Sequence, residues 1–248
     1  TIELIEKDDI SKYLLFLENV FPYMDNYNYQ KGMKEIIQEL KNFLKPKDIG
    51  TDSDRALLLD FQATLEIKPE KAIKLEKDAL AQIENITADN ARLVSNLHAN
   101  LGGLYRMNGH PDLAREHMEK SISLLDQFNL LHINDSIPQI ANYAMFLTEQ
   151  QEPERGISEL QKLSGIIKEY HSDDCLDYAK VQETLGTIYL MTANLPQAKT
   201  HFKRAFKIYE KIWADEPEMI EAKYQEIQEL YPQIGFCIGK NLSGLLTK

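Results

Sequence analysis

The chain has 248 residues, of which 43% are hydrophobic and 27% are charged, a composition typical of a globular protein with a buried core. Its 11 glycines and 9 prolines are too few for an all-β fold with many turns. The formal net charge of −11 argues against non-specific binding to nucleic acid or to an anionic membrane, because both require a basic surface. We therefore expect neither as a direct partner.

The two cysteines, Cys175 and Cys237, do not form a disulfide framework and fit a reducing compartment, although one buried pair remains open. No apolar run reaches the roughly 18 residues of a membrane span. No signal peptide is visible at the N-terminus, so we expect a cytoplasmic location. The sequence begins at Thr1 without a methionine, which leaves room for a domain before it.

The N-terminal region, residues 1–52, is predicted to form a degenerate helix pair or cap. It contains two candidate helices, SKYLLFLENVF and YQKGMKEIIQELKNFL, separated by PYMDNYNY. Both segments have the apolar periodicity of amphipathic helices.

A helix pair then recurs four times with a period of 42 residues. Leu101-Gly102 in one copy is matched by Leu185-Gly186, which lies 84 residues later, and the halfway position holds Ala144. The predicted repeats are 53–94, 95–136, 137–178 and 179–213. The second helix of each copy has a small residue at the same spacing: Ala72, Ala114, Gly156 and Ala198.

The small residues predict where the two helices of a copy meet, because antiparallel helices approach closely only where side chains are small. We call the first helix of each copy helix A and the second helix B. In the first copy, Asp60 stands where a small residue is expected. Each helix B has a proline near its start, where it needs no intrahelical N–H partner: Pro69, Pro111, Pro153 and Pro196.

This pattern resembles the tetratricopeptide repeat family. In the last copy the matching residues are Leu185, Gly186, Tyr189, Ala198, Phe202 and Ala205. The usual repeat has about 34 residues, and the longer period here looks like the kinesin light chain subclass and the arrays of many bacterial signalling proteins. The resemblance implies an all-α fold, a right-handed α-solenoid of antiparallel helix pairs in one solenoid domain.

Residues 214–248 are predicted to be C-terminal capping helices. The segment EMIEAKYQEIQELY reads as a helix that ends at Tyr231-Pro232. The following QIGFCIGKNLSGLLTK is apolar and has two open interpretations: a lid on the last repeat, or a segment folded into the groove in place of a ligand.

No catalytic constellation is visible in the sequence, which lacks a P-loop, a dinucleotide fingerprint and a nucleophile elbow. His171 and Cys175 could share a metal if both lie on one helix, but the favoured interpretation is a helix start capped by Asp173 and Asp174. We therefore expect no catalytic residue, no metal and no cofactor. An enzyme built on this scaffold is the remote alternative.

The family resemblance also implies that helices A line a concave groove in which asparagine side chains hold a peptide backbone. An asparagine amide offers both a donor and an acceptor for that purpose. The position before the Leu-Gly pair holds Leu58, Asn100, Asn142 and Thr184 in successive copies. The predicted groove residues are Asn96, Asn100, Arg106, Asn142, Glu149, Lys180, Glu183 and Thr184. The alternative is that Asn100 and Asn142 only bond to adjacent helices.

Lys199, Lys203 and Lys207 are four residues apart and share one helix face. A solvated face is the favoured interpretation, and a dock for an acidic partner is the alternative.

The repeat pattern and the predicted groove residues favour a non-catalytic interaction module whose partner is a protein or peptide. A peptide-sensing or autoinhibitory domain of a larger regulator or signalling ATPase is the alternative. The oligomeric state is left open.

Overall fold

The computed structural model describes residues 10–26, 29–44, 50–133 and 135–230. Within these ranges it contains eleven α-helices and no β-strand, which confirms the predicted all-α class. None of the described helices is both long enough and apolar enough to cross a membrane. The helices are α1 (Ile10–Asn26), α2 (Gln30–Leu44), α3 (Asp52–Thr64), α4 (Pro69–Leu80), α5 (Ala91–Met107), α6 (Pro111–Gln127), α7 (Ser136–Glu149), α8 (Pro153–Tyr170), α9 (Leu176–Met191), α10 (Leu195–Ile212) and α11 (Pro217–Leu230).

The chain divides into two compact units, residues 1–128 and 129–248. In unit 1, α3 packs on α4 and α5 packs on α6, while α4 also contacts α5. In unit 2, α7 packs on α8 and α9 packs on α10, while α8 contacts α9 and α11 contacts α10. Each unit is thus a stack of adjacent helix pairs, which is the predicted solenoid construction. Helices A are α3, α5, α7 and α9, and helices B are α4, α6, α8 and α10.

The N-terminal pair packs on the first repeat. Leu14 of α1 and Met33 of α2 are fully buried in one apolar cluster with Leu58 and Phe61 of α3. Leu58 is therefore a core residue and not part of an open face. The predicted division into an N-terminal pair, four repeats and a C-terminal cap stays a prediction. The segment after residue 230, which was predicted to be a lid or to fill the groove and which contains Cys237, lies outside the described residues.

The predicted close approach of helices A and B is confirmed at the small residues. A Cβ atom on Gly102 would lie 2.6 Å from Cγ of Met118, and one on Gly156 would lie 2.6 Å from the carbonyl oxygen of Ala144. A Cβ atom on Gly186 would lie 3.0 Å from the ring of Phe202. Larger residues at these glycines would push the two helices of a pair apart.

The starts of the helices follow local capping rules, with one correction to the sequence interpretation. Helices α4, α6, α8 and α10 each have a proline in the first or second position, as predicted. The N-cap of α9 is Cys175, whose Sγ accepts the N–H of Tyr178 at 3.4 Å. The predicted capping by Asp173 and Asp174 is wrong, because the extended backbone of Cys175 directly precedes the helix. Asp174 instead pairs with Lys211 of α10.

The 42-residue period also holds in the backbone of the turns between helices A and B. The N–H groups of His110, Glu152 and Asn194 donate to carbonyl oxygens five residues earlier, at 2.9, 2.8 and 2.7 Å. The residue before each donor has a positive φ: 75° at Gly109, 65° at Gln151 and 59° at Ala193. Turns that are closed by this hydrogen bond at a helix C-terminus favour glycine at the residue with positive φ. Of the three turns, only the first has a glycine there, Gly109.

Replacing Ala193 by glycine is therefore expected to stabilise the protein. A left-handed backbone costs a non-glycine residue about 1–2 kcal/mol, and the greater freedom of glycine in the unfolded chain offsets part of that gain. We expect Ala193→Gly to raise the free energy of unfolding by about 0.5–1 kcal/mol in urea titrations. The reverse change, Gly109→Ala, should lower it by a similar amount. A loss of stability in Ala193→Gly would contradict this account of the turn.

Candidate functional site

The A-helix face of unit 1 contains Asn100, and its amide is already engaged. Nδ2 of Asn100 donates to Oδ1 of Asp60 at 2.8 Å, which joins α5 to α3. The side chain of Asn100 remains exposed, and Asp60 is partly exposed. The bond to an adjacent helix, foreseen as the alternative for Asn100, is thus present. Asn96 and Arg106 lie on the same helix, are partly buried and have contacts of their own.

A second carboxyl group, Glu76 of α4, lies behind Asp60. The two residues stand 42 positions before Gly102 and Met118, so they occupy the same contact between helices A and B in the first repeat. Their carboxyl groups lie close enough for each to shift the pKa of the other. Glu76 is 2% exposed, and its Oε2 has no hydrogen-bond donor among the described residues. A pair of acids therefore replaces the apolar contact found in the next repeat.

Burial and mutual repulsion make it unfavourable for both acids to carry a charge. Desolvation raises the pKa of Asp60, although its hydrogen bonds to Glu76 and Asn100 oppose the shift. Desolvation and the charge of Asp60 raise the pKa of Glu76 far above its ordinary range. A protonated Glu76 can donate a hydrogen bond to the carboxylate of Asp60. That bond satisfies the buried Oε2 of Glu76, which otherwise has no hydrogen-bond partner among the described residues.

A polar contact also links helices A and B at equivalent positions of two repeats. Nδ1 of His98 lies 2.8 Å from Nδ1 of His117, whose ring stacks on Tyr105. The residues 84 positions later make the same contact, with Oε1 of Gln182 at 2.9 Å from Nδ1 of His201. Desolvation lowers the pKa of His98 to about 4 and also lowers that of His117. Both imidazoles are therefore neutral at pH 7, and one donates to the other.

In the part of the chain that the structure describes, no group of three or more His, Cys, Asp or Glu side chains is placed to hold a metal ion. His171 and Cys175 do not lie on one helix, which was the condition for a shared metal. His171 follows the end of α8, and its Nε2 lies 3.0 Å from the carbonyl oxygen of His132. Cys175 is a free thiol that caps the next helix.

The A-helix face of unit 2 contains Asn142 of α7. Its side chain is exposed and has no hydrogen-bond partner among the described residues. On the neighbouring α9, Oγ1 of Thr184 donates to the carbonyl oxygen of Lys180 at 3.0 Å. Lys180 itself is exposed and lies 3.7 Å from Asp177. Glu149, near the end of α7, is exposed and has contacts of its own.

Glu183, another predicted groove residue, is held by side chains of two other helices. Its Oε2 accepts the hydroxyl of Tyr209 at 2.6 Å, and its Oε1 lies 3.0 Å from Nζ of Lys223. Burial and the charge of Glu183 raise the pKa of Tyr209. Burial opposes the charge of Lys223, but Glu183 and Glu226 outweigh it and raise its pKa. Glu183 thus joins α9 to α10 and α11.

The lysine face of α10 consists of Lys199, Lys203 and Lys207, all three of which are exposed. None of them has a carboxylate partner among the described residues. Arg204 and Lys211 on the same helix do have partners, Gln182 and Asp174.

Sequence reasoning located Asp60 as an anomaly but missed Glu76 as its partner. Stepping back 42 residues from Met118 reaches Glu76, so the period contained the signal. It also missed Tyr209 of α10 and Lys223 of α11 as partners of Glu183, because no local pattern in the sequence indicated which side chains of these two helices would reach it.

Comparisons with known proteins agree with this construction. Residues 136–211, which comprise nearly all of α7–α10, match the profile of the tetratricopeptide repeat family. BtubC (BKLC) from P. vanneervenii has a similar structure, with 17% sequence identity, a TM-score of 0.65 and coverage of 88% of this chain and 90% of that one.

Two further solved structures have the same fold. The nearly identical TPR-like repeats assigned to a kinesin light chain of Podosopora anserina are 13% identical to this chain, with a TM-score of 0.62 and coverage of 84% and 99%. MamA is 15% identical, with a TM-score of 0.51 and coverage of 75% and 94%. The comparison with curated proteins found no match. The kinesin light chain-like repeat fold predicted from the sequence is thus confirmed.

The neutral histidine pair predicts a loss of stability in acid. His98 takes up a proton in the unfolded chain below its ordinary pKa of 6.5 but stays neutral in the folded chain until about pH 4. The contribution of His98 to stability is therefore complete above pH 6.5 and falls as the pH decreases towards 4. His98→Gln installs the glutamine–histidine contact of the later repeat. With allowance for solvent screening, we expect the variant to lose about 1 kcal/mol less than the wild type between about pH 7 and pH 5 in urea titrations. His110→Gln, at an exposed position, is the matched control, and equal losses in all three proteins would contradict the assignment.

Proposed function

We propose that the protein is a non-catalytic interaction module, because residues 136–211 match tetratricopeptide repeats and the described chain has the fold of such solenoids. Its A-helix faces bind an extended peptide or protein segment. The observation that carries this proposal is Asn142, an exposed amide on helix A without a partner among the described residues. Repeat solenoids expose such faces to their partners.

The chemistry of an asparagine amide suits a peptide backbone. Its carbonyl accepts a backbone N–H and its NH₂ donates to a backbone carbonyl, so it recognises a peptide unit whatever side chains the partner carries. In unit 1, Asn100 uses one donor on Asp60 and keeps an exposed side chain. In unit 2, the amide of Asn142 has both its donor and its acceptor available for such a pair of bonds.

The charged groups of the unit 2 face favour a mixed polar segment over a single strong anion. Lys180 lies beside Asp177, and Glu183 is held by Tyr209 and Lys223. A cluster of unpaired lysines and arginines, which would clamp a terminal carboxylate, does not occur among the described residues of this face. The partner should therefore be recognised mainly through its backbone.

The contribution of the two asparagines can be measured with peptides selected from a random phage library on the immobilised full chain. We expect Asn142→Ala to weaken binding of a selected peptide about tenfold in calorimetric titrations, because each lost hydrogen bond contributes about 1 kcal/mol. Asn100→Ala should have a smaller effect, since Asn100 is partly committed to Asp60.

Gln161→Ala is the matched control, because it removes an exposed amide from helix B of the same pair as Asn142. The control should bind like the wild type. The proposal fails if Asn142→Ala and Gln161→Ala both leave the affinity unchanged.

The lysine face of α10 supports a second contact surface, for an acidic protein segment. Lys199, Lys203 and Lys207 lie about 6 Å apart in turn along the helix. They are exposed and lack carboxylate partners in the described part of the chain, although the whole chain has a net charge of −11. An array of unpaired cations on an otherwise acidic protein is complementary to a run of Asp and Glu.

Charge reversal tests this second surface. We expect Lys199→Glu/Lys203→Glu/Lys207→Glu to weaken binding of a short poly-glutamate peptide at least about tenfold at low salt, and added salt to weaken the wild type. Lys71→Glu/Lys74→Glu, on exposed positions of α4, is the control and should have little effect. Equal binding by both variants, or a preference for a single-stranded oligonucleotide over the peptide, would contradict an acidic protein partner.

A further inference from the structure

The contact between Asp60 and Glu76 differs chemically from the equivalent contacts in two later repeats. The same positions hold Gly102 and Met118 in one copy, and Gly186 and Phe202 in another, and both pairs are apolar and tightly packed. In the first repeat two acids meet there, and Glu76 is only 2% exposed. Burying the carboxyl group of Glu76 is unfavourable unless it is hydrogen-bonded and either paired with a cation or protonated.

We propose that Asp60 and Glu76 hold one proton between them, and that this shared proton fixes the side-chain amide of Asn100 on the A-helix face of unit 1. Protonated Glu76 donates to the carboxylate of Asp60. The same carboxylate accepts Nδ2–H of Asn100 at 2.8 Å. The three side chains thus form a chain of hydrogen bonds that connects the buried side of α4 to the exposed side of α5.

The hydrogen-bond inventory supports the shared proton. Two ionised carboxylates are acceptors only, so neither could donate to the other. Oε2 of Glu76 lacks a donor among the described residues, as expected if the donor is the acid's own proton. A buried carboxyl that keeps its proton avoids most of the cost of desolvation.

None of the described side chains that face Asp60 and Glu76 supplies a positive charge to neutralise them. From α3 the titratable group that acts on Glu76 is Asp60, and from α5 the polar group is Asn100. Lys77 follows Glu76 on α4, but its Nζ lies over the ring of Tyr105, 5.5 Å from the centroid. Neither acid has an ion-pair partner among the described residues, so no cation substitutes for the proton.

The sign of the resulting pH dependence is opposite to that of the histidine pair. Glu76 keeps its proton in the folded chain but loses it in the unfolded chain above its ordinary pKa of 4.5. The contribution of Glu76 to stability is therefore complete in weak acid and falls as the pH rises, because the unfolded state binds fewer protons. The orientation of Asn100 depends on the same proton, because Asn100 is bonded to Asp60 and also acts directly on Glu76, where it opposes the rise in pKa. Its consequence for partner binding rests on the proposed function, whereas the proton itself is a property of the protein alone.

The proposal can be tested by NMR on the full chain with ¹³C-labelled carboxyl groups and ¹⁵N-labelled side-chain amides. We expect the Glu76 carboxyl to titrate at least about two pH units above its ordinary value of 4.5. The Asp60 carboxyl and the Asn100 amide should shift with the same midpoint. Above pH 6.5, where His98 is neutral in both the folded and the unfolded chain, urea titrations should show an unfolding equilibrium constant that rises towards about tenfold per pH unit, since about one proton is released on unfolding.

Three variants separate the shared proton from general packing. Glu76→Gln should abolish both the Asn100 shift and the loss of stability as the pH rises above 6.5. Asp60→Gly/Glu76→Met installs the pair found at Gly102 and Met118, so it should fold, lose the titration and leave the Asn100 amide with the signals of a solvated side chain. Glu70→Gln, at an exposed position of α4, is the matched control and should behave like the wild type.

A Glu76 carboxyl that titrates near 4.5, or an Asn100 amide that does not follow its titration, would overturn the proposal. Those outcomes would leave the proposed function intact if Asn142→Ala still weakened the selected peptide. Conversely, a shared proton without any effect of Asn142→Ala would leave this inference standing and remove the peptide-binding role.

Discussion

The close approach of helices A and B at one position in each repeat is the constraint on which the fold depends. Where Gly102 meets Met118, and Gly186 meets Phe202, a single added Cβ atom would lie 3.0 Å or less from the opposite helix. This contact fixes which side of helix A faces helix B in each pair. It thereby determines which side of the helix remains for Asn100 and Asn142, so packing and the proposed recognition use different sides of the same helix.

The first repeat satisfies the same constraint with polar chemistry. Asp60 and Glu76 replace a small and a large apolar residue, and the burial of Glu76 is compatible with folding if one proton is shared between the two acids. The pair also reaches the surface through Asn100. A departure from the repeat pattern is thus the place where the core of unit 1 is chemically connected to its proposed binding face.

The sequence was sufficient to predict the features that recur in every repeat, but it was not sufficient to predict which side chains contact each other. The anchors at Gly102, Ala144 and Gly186 predicted the 42-residue period, because each repeat must solve the same packing problem. The contact of Glu183 with Lys223 could not be predicted, because it depends on how α11 packs rather than on any local pattern.

Two local ambiguities were decided only by the structure. Asn100 was compatible with a peptide clamp and with a bond between helices, and the position of Asp60 shows that the second is present. The cap of α9 was misassigned because Asp173, Asp174 and Cys175 can all accept a backbone N–H, and the helix start selects one of them.

The central claim is that the side of helix A opposite the packing contact binds a peptide backbone. A crystal structure of the full chain with a peptide selected on it tests this claim most directly. Our account predicts an extended peptide along α7 and α9, with a backbone N–H and a backbone carbonyl within hydrogen-bond distance of the Asn142 amide. A peptide seated on helices B, with Asn142 left in solvent, would contradict it.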